Sequence, residues 1–171
     1  MKTIPLTTEG KLSLCPSGGC NYHCCDFGFM AHIILYPGEL DAARVAGMST
    51  SHLEIVDDNY HGGQRAKCHA TRCIDCDGGY KPLDCRSYPF VPIVTGGSQS
   101  GSSLQQLHLG KGTNCPLSLG QLSGHRENVR SWWLQLIDRQ PEVLEWIALV
   151  SNGPTDPFDQ ESYELAGNDP H

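Results

Sequence analysis

The sequence has no long hydrophobic run and no concentration of basic residues. Its longest apolar runs are about five residues, whereas a helix that crosses a bilayer needs roughly 20. Residues 1–9 lack the apolar centre of a signal peptide. The formal net charge is −7, and a phosphate-binding surface normally needs a basic stripe. We therefore expect no membrane span and no nucleic-acid partner, and we expect the protein to lie in the cytoplasm.

The chain also lacks the short signatures of the common enzyme classes. There is no G-x-G-x-x-G after a strand, no P-loop, no H-E-x-x-H and no G-x-S-x-G. Residues 110–113, Gly-Lys-Gly-Thr, have the wrong spacing for a phosphate loop, and we interpret them as a turn. The sequence therefore marks no catalytic residue and leaves enzymatic activity undecided.

What the sequence does contain is nine cysteines, most of them in two groups. The first group is Cys15, Cys20, Cys24 and Cys25, the second is Cys68, Cys73, Cys76 and Cys85, and Cys115 stands alone. A closed set of disulfides cannot use an odd number of cysteines, so a disulfide-stapled secreted domain is the less favoured alternative. Thiols grouped in this way are typical of ligands to a metal ion or a metal cluster.

The spacing of the thiols does not by itself choose the metal. Cys20-x3-Cys24 and Cys73-x2-Cys76 meet the ligand spacing of zinc sites. Cys15-x4-Cys20-x3-Cys24 misses the iron–sulfur run C-x4-C-x2-C by one residue. We prefer iron or an iron–sulfur cluster over zinc, because the thiols outnumber the ligands of one four-cysteine zinc site.

Three other side chains are considered as ligands. Glu39 follows a short apolar segment and is a candidate carboxylate ligand, although a negative charge also favours the first turn of a helix without any metal. His23 and His69 each neighbour a cysteine, and we interpret both as solvated. Cys115 either completes a site from a distance or is a buried apolar side chain.

Several motifs occur in the same order as in a known family. Residues 20–25 form a CxxxCC motif, and residues 80–90 read Y-K-P-L-D-C-R-S-Y-P-F. Over residues 15 to 120 the chain resembles the YkgJ-type cysteine-cluster family, a zinc- or iron-chelating CxxxCC domain. The resemblance implies a ligand set of Cys20, Cys24, Cys25, Cys68, Cys76, Cys85 and Cys115, with Glu39 at the acidic position of the family. Cys15 and Cys73 are additions to this set.

Two alternatives to simple metal binding stay open. Some relatives of the family resemble flagellin lysine methylases, so the resemblance also allows an enzyme that depends on a metal or a cluster. A purely structural zinc module is the other alternative.

Hydrophobic patterning predicts a loop-rich α+β fold with a C-terminal helical hairpin. The grouped cysteines predict that metal–thiolate bonds hold this fold together. We expect one domain over residues 1–171, with its core at about 12–150 and a flexible acidic tail at 151–171. Strands are predicted at 32–36, 51–56 and 104–109, and an edge strand or extended segment is predicted at 88–95. Helices are predicted at 40–46, at 124–139 and from 140. The expected loops are 61–79, wrapped around the ligands, and 96–103. The predicted helical faces are Val129, Trp132, Trp133, Leu136 and Ile137, followed by Leu144, Ile147 and Ala148.

Overall fold

The computed structural model of the protein describes residues 32–72, 75–95, 106–112, 115–152 and 163–165. The chain divides into two compact units, Met1–Tyr88 and Pro89–His171, which we call the N-terminal unit and the C-terminal unit. In the described residues each unit contains one three-stranded antiparallel sheet together with helices. This confirms the predicted α+β class. Within the described ranges, no helix combines the length and the apolar character that a bilayer span requires.

The N-terminal unit is built around the central strand of its sheet. Its elements are β1 (Ile33–Leu35), α1 (Glu39–Val45), β2 (Leu53–Tyr60), β3 (Gly63–Cys68), a 3₁₀ turn (Cys76–Gly78) and α2 (Leu83–Ser87). The strand order is β1-β3-β2, and both pairs are antiparallel. The apolar cluster of this unit consists of Ile33, Leu35, Leu40, Ala43, Ala66 and Tyr80. Strand β1 and helix α1 confirm the predictions for residues 32–36 and 40–46.

Helix α1 is short and is defined by glycines on both sides. Gly38 precedes it with φ 77°, and Gly47 follows it with φ 75°. The N–H of Gly47 donates to the carbonyl of Arg44, and the N–H of Met48 donates to the carbonyl of Ala43, which closes the last turn in the way usual for a left-handed C-terminal residue. The helix therefore begins at Glu39, whose side chain is buried.

The predicted loop at residues 61–79 is wrong for residues 63–68, which form β3. Strands β2 and β3 are joined by His61 and Gly62, whose φ values are 53° and 90°, and two such residues make the tight turn that matches strand twist. The sequence does not predict this strand, because its two buried residues are Gly63, which has no apolar side chain, and Ala66, whose side chain is a single methyl group. A strand with so little apolar alternation gives almost no period-two signal.

The C-terminal unit has a sheet with two helices. Its elements are β4 (Phe90–Thr95), β5 (Gln106–Gly112), α3 (Ser123–Arg139), α4 (Glu142–Asn152) and β6 (Tyr163–Leu165). The strand order is β4-β5-β6, so within the described sheet β4 is an outer strand and tolerates Pro92. Helix α4 packs on β4 and contacts α3, which confirms the predicted C-terminal helical hairpin.

Two segments of the C-terminal unit differ from the sequence-based expectation. Residues 110–112, interpreted above as part of a turn, continue β5. Residues 163–165, within the expected flexible tail, form β6 and pair with β5. The side chain of Lys111 is buried, and its Nζ donates to the carbonyls of Gly112 at 3.2 Å and Cys115 at 2.9 Å. The local sequence predicts neither the continuation of β5 nor the pairing of β6, because both depend on distant parts of the chain.

The helical faces are close to those predicted. In α3 the buried side chains are His125, Val129, Trp133 and Leu136, while Trp132 and Ile137 are half-buried. In α4 the fully buried side chains are Val143, Trp146 and Ile147, whereas Leu144 and Ala148 are half-buried. The buried face of α4 is therefore centred on Val143 and Trp146 and not on Leu144. Trp146 has the larger apolar surface, so its burial stabilises the packing most.

Candidate metal centre

The structure describes four of the nine cysteines. Cys68, Cys76 and Cys85 lie in the N-terminal unit, and Cys115 lies in the C-terminal unit. Cys15, Cys20, Cys24, Cys25 and Cys73 lie outside the described residues. The CxxxCC motif, which supplies three of the predicted ligands, therefore lies outside the described residues.

Cys68 and Cys85 come from separate elements but pack against the same apolar cluster. Cys68 is the last residue of β3 and lies opposite Leu53 of β2. It lies two residues after Ala66, so the two side chains share one face of the sheet. Its Sγ accepts a hydrogen bond from the N–H of Ala70 at 3.4 Å, the type of contact that stabilises negative charge on sulfur. Cys85 is in the middle of α2 and is half-buried.

Cys76 is held in a tight turn and is only 6% exposed. Cys76, Asp77 and Gly78 have φ values of 50°, 55° and 78°, and for the two residues with a Cβ this conformation costs free energy. The carboxylate of Asp77 offsets this cost, because it accepts from the N–H of Thr71 at 2.8 Å and the N–H of Arg72 at 2.7 Å. These N–H donors hold the pKa of Asp77 below its ordinary value. The turn therefore ties the chain after β3 to the residues around Cys76.

Among the described residues of the N-terminal unit, Glu39 is the most buried carboxyl group, with 1% exposure. Its Oε1 accepts from the hydroxyl of Tyr80 at 2.7 Å and from the N–H of Leu83 at 2.7 Å. Its Oε2 accepts from the N–H of Tyr36 at 3.0 Å. Burial raises the pKa of Glu39 from 4.5 to about 7, and these hydrogen bonds only partly oppose the effect of burial. Glu39 is thus placed at the meeting point of β1, α1 and the segment before α2.

A second carboxylate makes a parallel contact at the same edge of the sheet. Asp84 Oδ2 accepts from the N–H of Ile34 at 2.9 Å. The N–H groups of Ile34 and Tyr36 are two residues apart and so point to the same side of β1. Asp84 also raises the pKa of Glu39, as the smallest of the resolved causes. Two carboxylates therefore take the places that a neighbouring strand would otherwise occupy.

Arg86 and Tyr80 complete this buried polar cluster. Arg86 is 2% exposed, and burial lowers the pKa of its guanidinium, whereas nearby Tyr80 and Glu39 act in the opposite direction. Burial also raises the pKa of Tyr80, and the charge of Glu39 adds to this effect. The phenol is therefore a neutral hydrogen-bond donor at neutral pH. The sequence pattern does not predict Tyr80 and Leu83 as partners of Glu39, because they are 41 and 44 residues away.

Cys115 and His69 have different surroundings. Cys115 is 8% exposed in the C-terminal unit, and its N–H donates to the carbonyl of Gly112. His69 is exposed, and its Nε2 lies 2.6 Å from Oε2 of Glu54. This contact fits the interpretation of His69 as a solvated side chain. The role of Cys115 as a ligand stays a prediction.

Within the described ranges, no group of three or more histidine, cysteine, aspartate and glutamate side chains is arranged to hold a metal ion. A complete thiolate site would therefore have to include ligands from the rest of the chain. The structure brings Cys68 and Cys85 to one apolar cluster and buries Cys76 four residues before Tyr80, a member of that cluster. Glu39 has three hydrogen-bond donors on its two oxygens, so its local role is to join segments of the unit.

Comparison with known proteins gave no matching family model, no similar curated protein and no similar solved structure.

Proposed function

We propose that this protein binds a metal through its clustered cysteine thiolates, with iron or an iron–sulfur cluster preferred over zinc. The observation that carries the proposal is the position of Cys68 and Cys85, which lie 17 residues apart in sequence yet pack against one apolar cluster. Buried Cys76 lies between them in sequence and precedes Tyr80 of that cluster. Thiols that are grouped in the sequence of a chain with an odd number of cysteines are better explained as ligands than as disulfide partners.

A bound metal would add stability to the N-terminal unit. Among the residues that the structure describes, the apolar cluster of this unit has six buried members, and two of them are alanines. Small natural proteins commonly add a structural metal or disulfides to their apolar core. A thiolate metal site contributes on the order of 10 kcal/mol, which would add to the stability that this cluster supplies.

The ligand set follows the motif resemblance to the YkgJ-type cysteine-cluster family. We propose ligands from Cys20, Cys24 and Cys25 of the CxxxCC motif together with thiols of the second group and Cys115. The second-group ligands are Cys68, Cys76 and Cys85, with Cys15 and Cys73 as additional thiols and Glu39 as a carboxylate candidate. A cytoplasmic location belongs to the same proposal, because thiols stay reduced and available to metals in that compartment.

A structural zinc site is the second candidate, and the spacing Cys73-x2-Cys76 favours it. A structural zinc ion holds loops together by four ligands and leaves no open position for chemistry. The two candidates differ in their spectra, because zinc has a filled d shell and adds no visible absorption, whereas iron–sulfur clusters absorb in the visible region. Metal analysis together with an absorption spectrum therefore separates them.

The test is metal analysis with an absorption spectrum of the full chain purified without air and without chelators. We expect at least about one equivalent of iron or zinc per chain, given the affinity of thiolate sites. Cys85→Ser should lose most of the metal. Ile55→Val is the matched control, because it removes one methyl group from a residue packed on the same cluster but leaves every thiol in place. Less than about a tenth of an equivalent of iron plus zinc in the unmodified protein would refute the proposal.

A further inference from the structure

Glu39 joins parts of the N-terminal unit that are far apart in sequence. Its carboxylate binds the hydroxyl of Tyr80 across 41 residues and the N–H of Leu83 across 44 residues, while its other oxygen binds the N–H of Tyr36 next to its own helix. All three contacts are buried. Buried hydrogen bonds to a carboxylate are among the stronger ones in proteins, and losing one partner leaves a buried donor unsatisfied.

The contact with Leu83 acts at the start of α2. Leu83 is the first residue of this helix, and Pro82 before it provides no side-chain cap. The first N–H groups of a helix need an acceptor, and Glu39 Oε1 supplies one from a distant part of the chain. The next residue, Asp84, binds back to the N–H of Ile34. The start of α2 is therefore fixed to β1 and α1 by two carboxylates, one from each side.

The segment fixed in this way is flanked by two candidate ligands. Cys76 lies four residues before Tyr80, and Cys85 lies two residues after Leu83. Cys68, in contrast, belongs to β3 and is held by the hydrogen-bond ladder of the sheet. A change at Glu39 therefore acts on the segment with Cys76 and Cys85 much more directly than on Cys68.

The geometry points to Glu39 as a positioning residue, whose carboxylate fixes the segment from Tyr80 to Leu83 and thereby sets where Cys76 and Cys85 present their thiols. Its role in metal binding rests on the proposed function, but its role in placing the thiols does not. In this role Glu39 acts through hydrogen bonds to protein groups, which is the alternative to its candidacy as a direct ligand. The expected consequence is a selective effect on two thiols of the N-terminal unit.

The test measures the alkylation rate of each thiol by iodoacetamide in the full chain, reduced and treated with a chelator, with mass spectrometry to resolve the sites. Glu39→Gln places an amide NH₂ where a buried oxygen accepted hydrogen bonds. It should speed alkylation of Cys76 and Cys85 by about tenfold, the effect of losing roughly one buried hydrogen bond on a local opening equilibrium. Alkylation of Cys68 should change by less than about twofold, because the sheet holds it.

Two further variants make the result specific. Tyr80→Phe removes only the hydroxyl that donates to Glu39, and it should give the same pattern with a smaller increase. Asp41→Asn removes a carboxylate from the first turn of the same helix, where it is exposed, and it should leave all the rates unchanged. In the metal-loaded protein, Glu39→Gln should weaken metal affinity by about tenfold or more, the usual effect of losing a group that orients ligands.

The outcomes separate this inference from the proposed function. Equal acceleration of Cys68, Cys76 and Cys85 would mean a general loosening of the unit and would overturn the inference. Loss of metal by Glu39→Gln with unchanged alkylation of the metal-free protein would also overturn it, since that is the behaviour of a direct ligand. If the unmodified protein bound no metal, the proposed function would fail, while the alkylation rates would still decide the role of Glu39.

Discussion

The raised pKa of Glu39 predicts an unusual dependence of stability on pH in the N-terminal unit. Burial moves this pKa from 4.5 to about 7. The folded state therefore binds a proton that the unfolded chain releases between these two values. The stability contributed by this proton is fully present below pH 4.5 and is lost as the pH rises through about 7, which is opposite to the behaviour of a carboxylate in a salt bridge.

The size of the effect follows from the same two values. One pKa unit corresponds to about 1.4 kcal/mol. Because some of the proton release lies outside the range from pH 5 to pH 8, the free energy of unfolding should fall by about 2–3 kcal/mol over this range. Glu39→Gln cannot ionise, so it should lack this slope. As the pH rises from 5 to 8, the difference in the free energy of unfolding between the unmodified protein and the variant should therefore shrink by about 2–3 kcal/mol.

The assay must report on the N-terminal unit alone. All three tryptophans, Trp132, Trp133 and Trp146, lie in the C-terminal unit, so tryptophan fluorescence does not follow the unit of interest. Hydrogen exchange of the β3 amides, corrected for the intrinsic exchange rate at each pH, gives the opening free energy of the N-terminal unit. Reductant and a chelator are kept constant throughout. Asp41→Asn, an exposed carboxylate in the same helix, should keep the slope of the unmodified protein.

The reasoning would be refuted by parallel pH profiles. If the unmodified protein and Glu39→Gln differed by a constant amount, within about 0.5 kcal/mol, at every pH from 5 to 8, then Glu39 would not titrate in this range. A slope of the opposite sign would show that Glu39 is stabilised as a carboxylate, and that hydrogen bonds outweigh burial.

Three further predictions concern the thiols, the metal and the packing of the turn. Cys85→Ser should lose bound metal while Cys15→Ser keeps most of it, because only the former lies in the family-like motifs; equal metal content in elemental analysis would show that this division is wrong. Removal of the metal should increase hydrogen exchange at residues 61–90 and leave α3 protected, and unchanged protection of 61–90 would mean that the cysteines do not support this region. Gly79→Ala should lower the free energy of unfolding by about 1–3 kcal/mol in denaturant titrations, because the added Cβ would lie 2.7 Å from the His52 ring; an unchanged midpoint would contradict this.

The elements with strong periodic patterns could be predicted from the sequence, and those without them could not. Helix α3 was located to within one residue, because its apolar side chains recur at helical spacing over 17 residues. Strand β3 was missed because burial falls on Ala66 and Gly63, neither of which gives a hydrophobic signal. Strand β6 is three residues long, and only its pairing with β5 identifies it.

The candidate site shows the same division. The sequence marks Glu39, the acidic residue after the first strand, as a candidate site residue. It does not predict its partners Tyr80 and Leu83, because they are 41 and 44 residues away and Leu83 uses only its backbone. The contacts of Glu39 with the N–H of Tyr36 and of Asp84 with the N–H of Ile34 likewise depend on how α2 packs on the sheet. Local pattern identifies such a residue as unusual, but only the folded chain shows what it binds.

The carboxylate contacts along β1 also bear on whether this unit can grow by adding strands. An outer strand with open N–H groups is a template for pairing with another chain. On β1, Glu39 and Asp84 already accept the outward N–H groups of Tyr36 and Ile34. The opposite outer strand of the described sheet, β2, has register shifts after Ile55 and again before Tyr60, and irregular strands are poor templates. Both outer strands of the described sheet thus disfavour aggregation by edge-to-edge pairing with another chain.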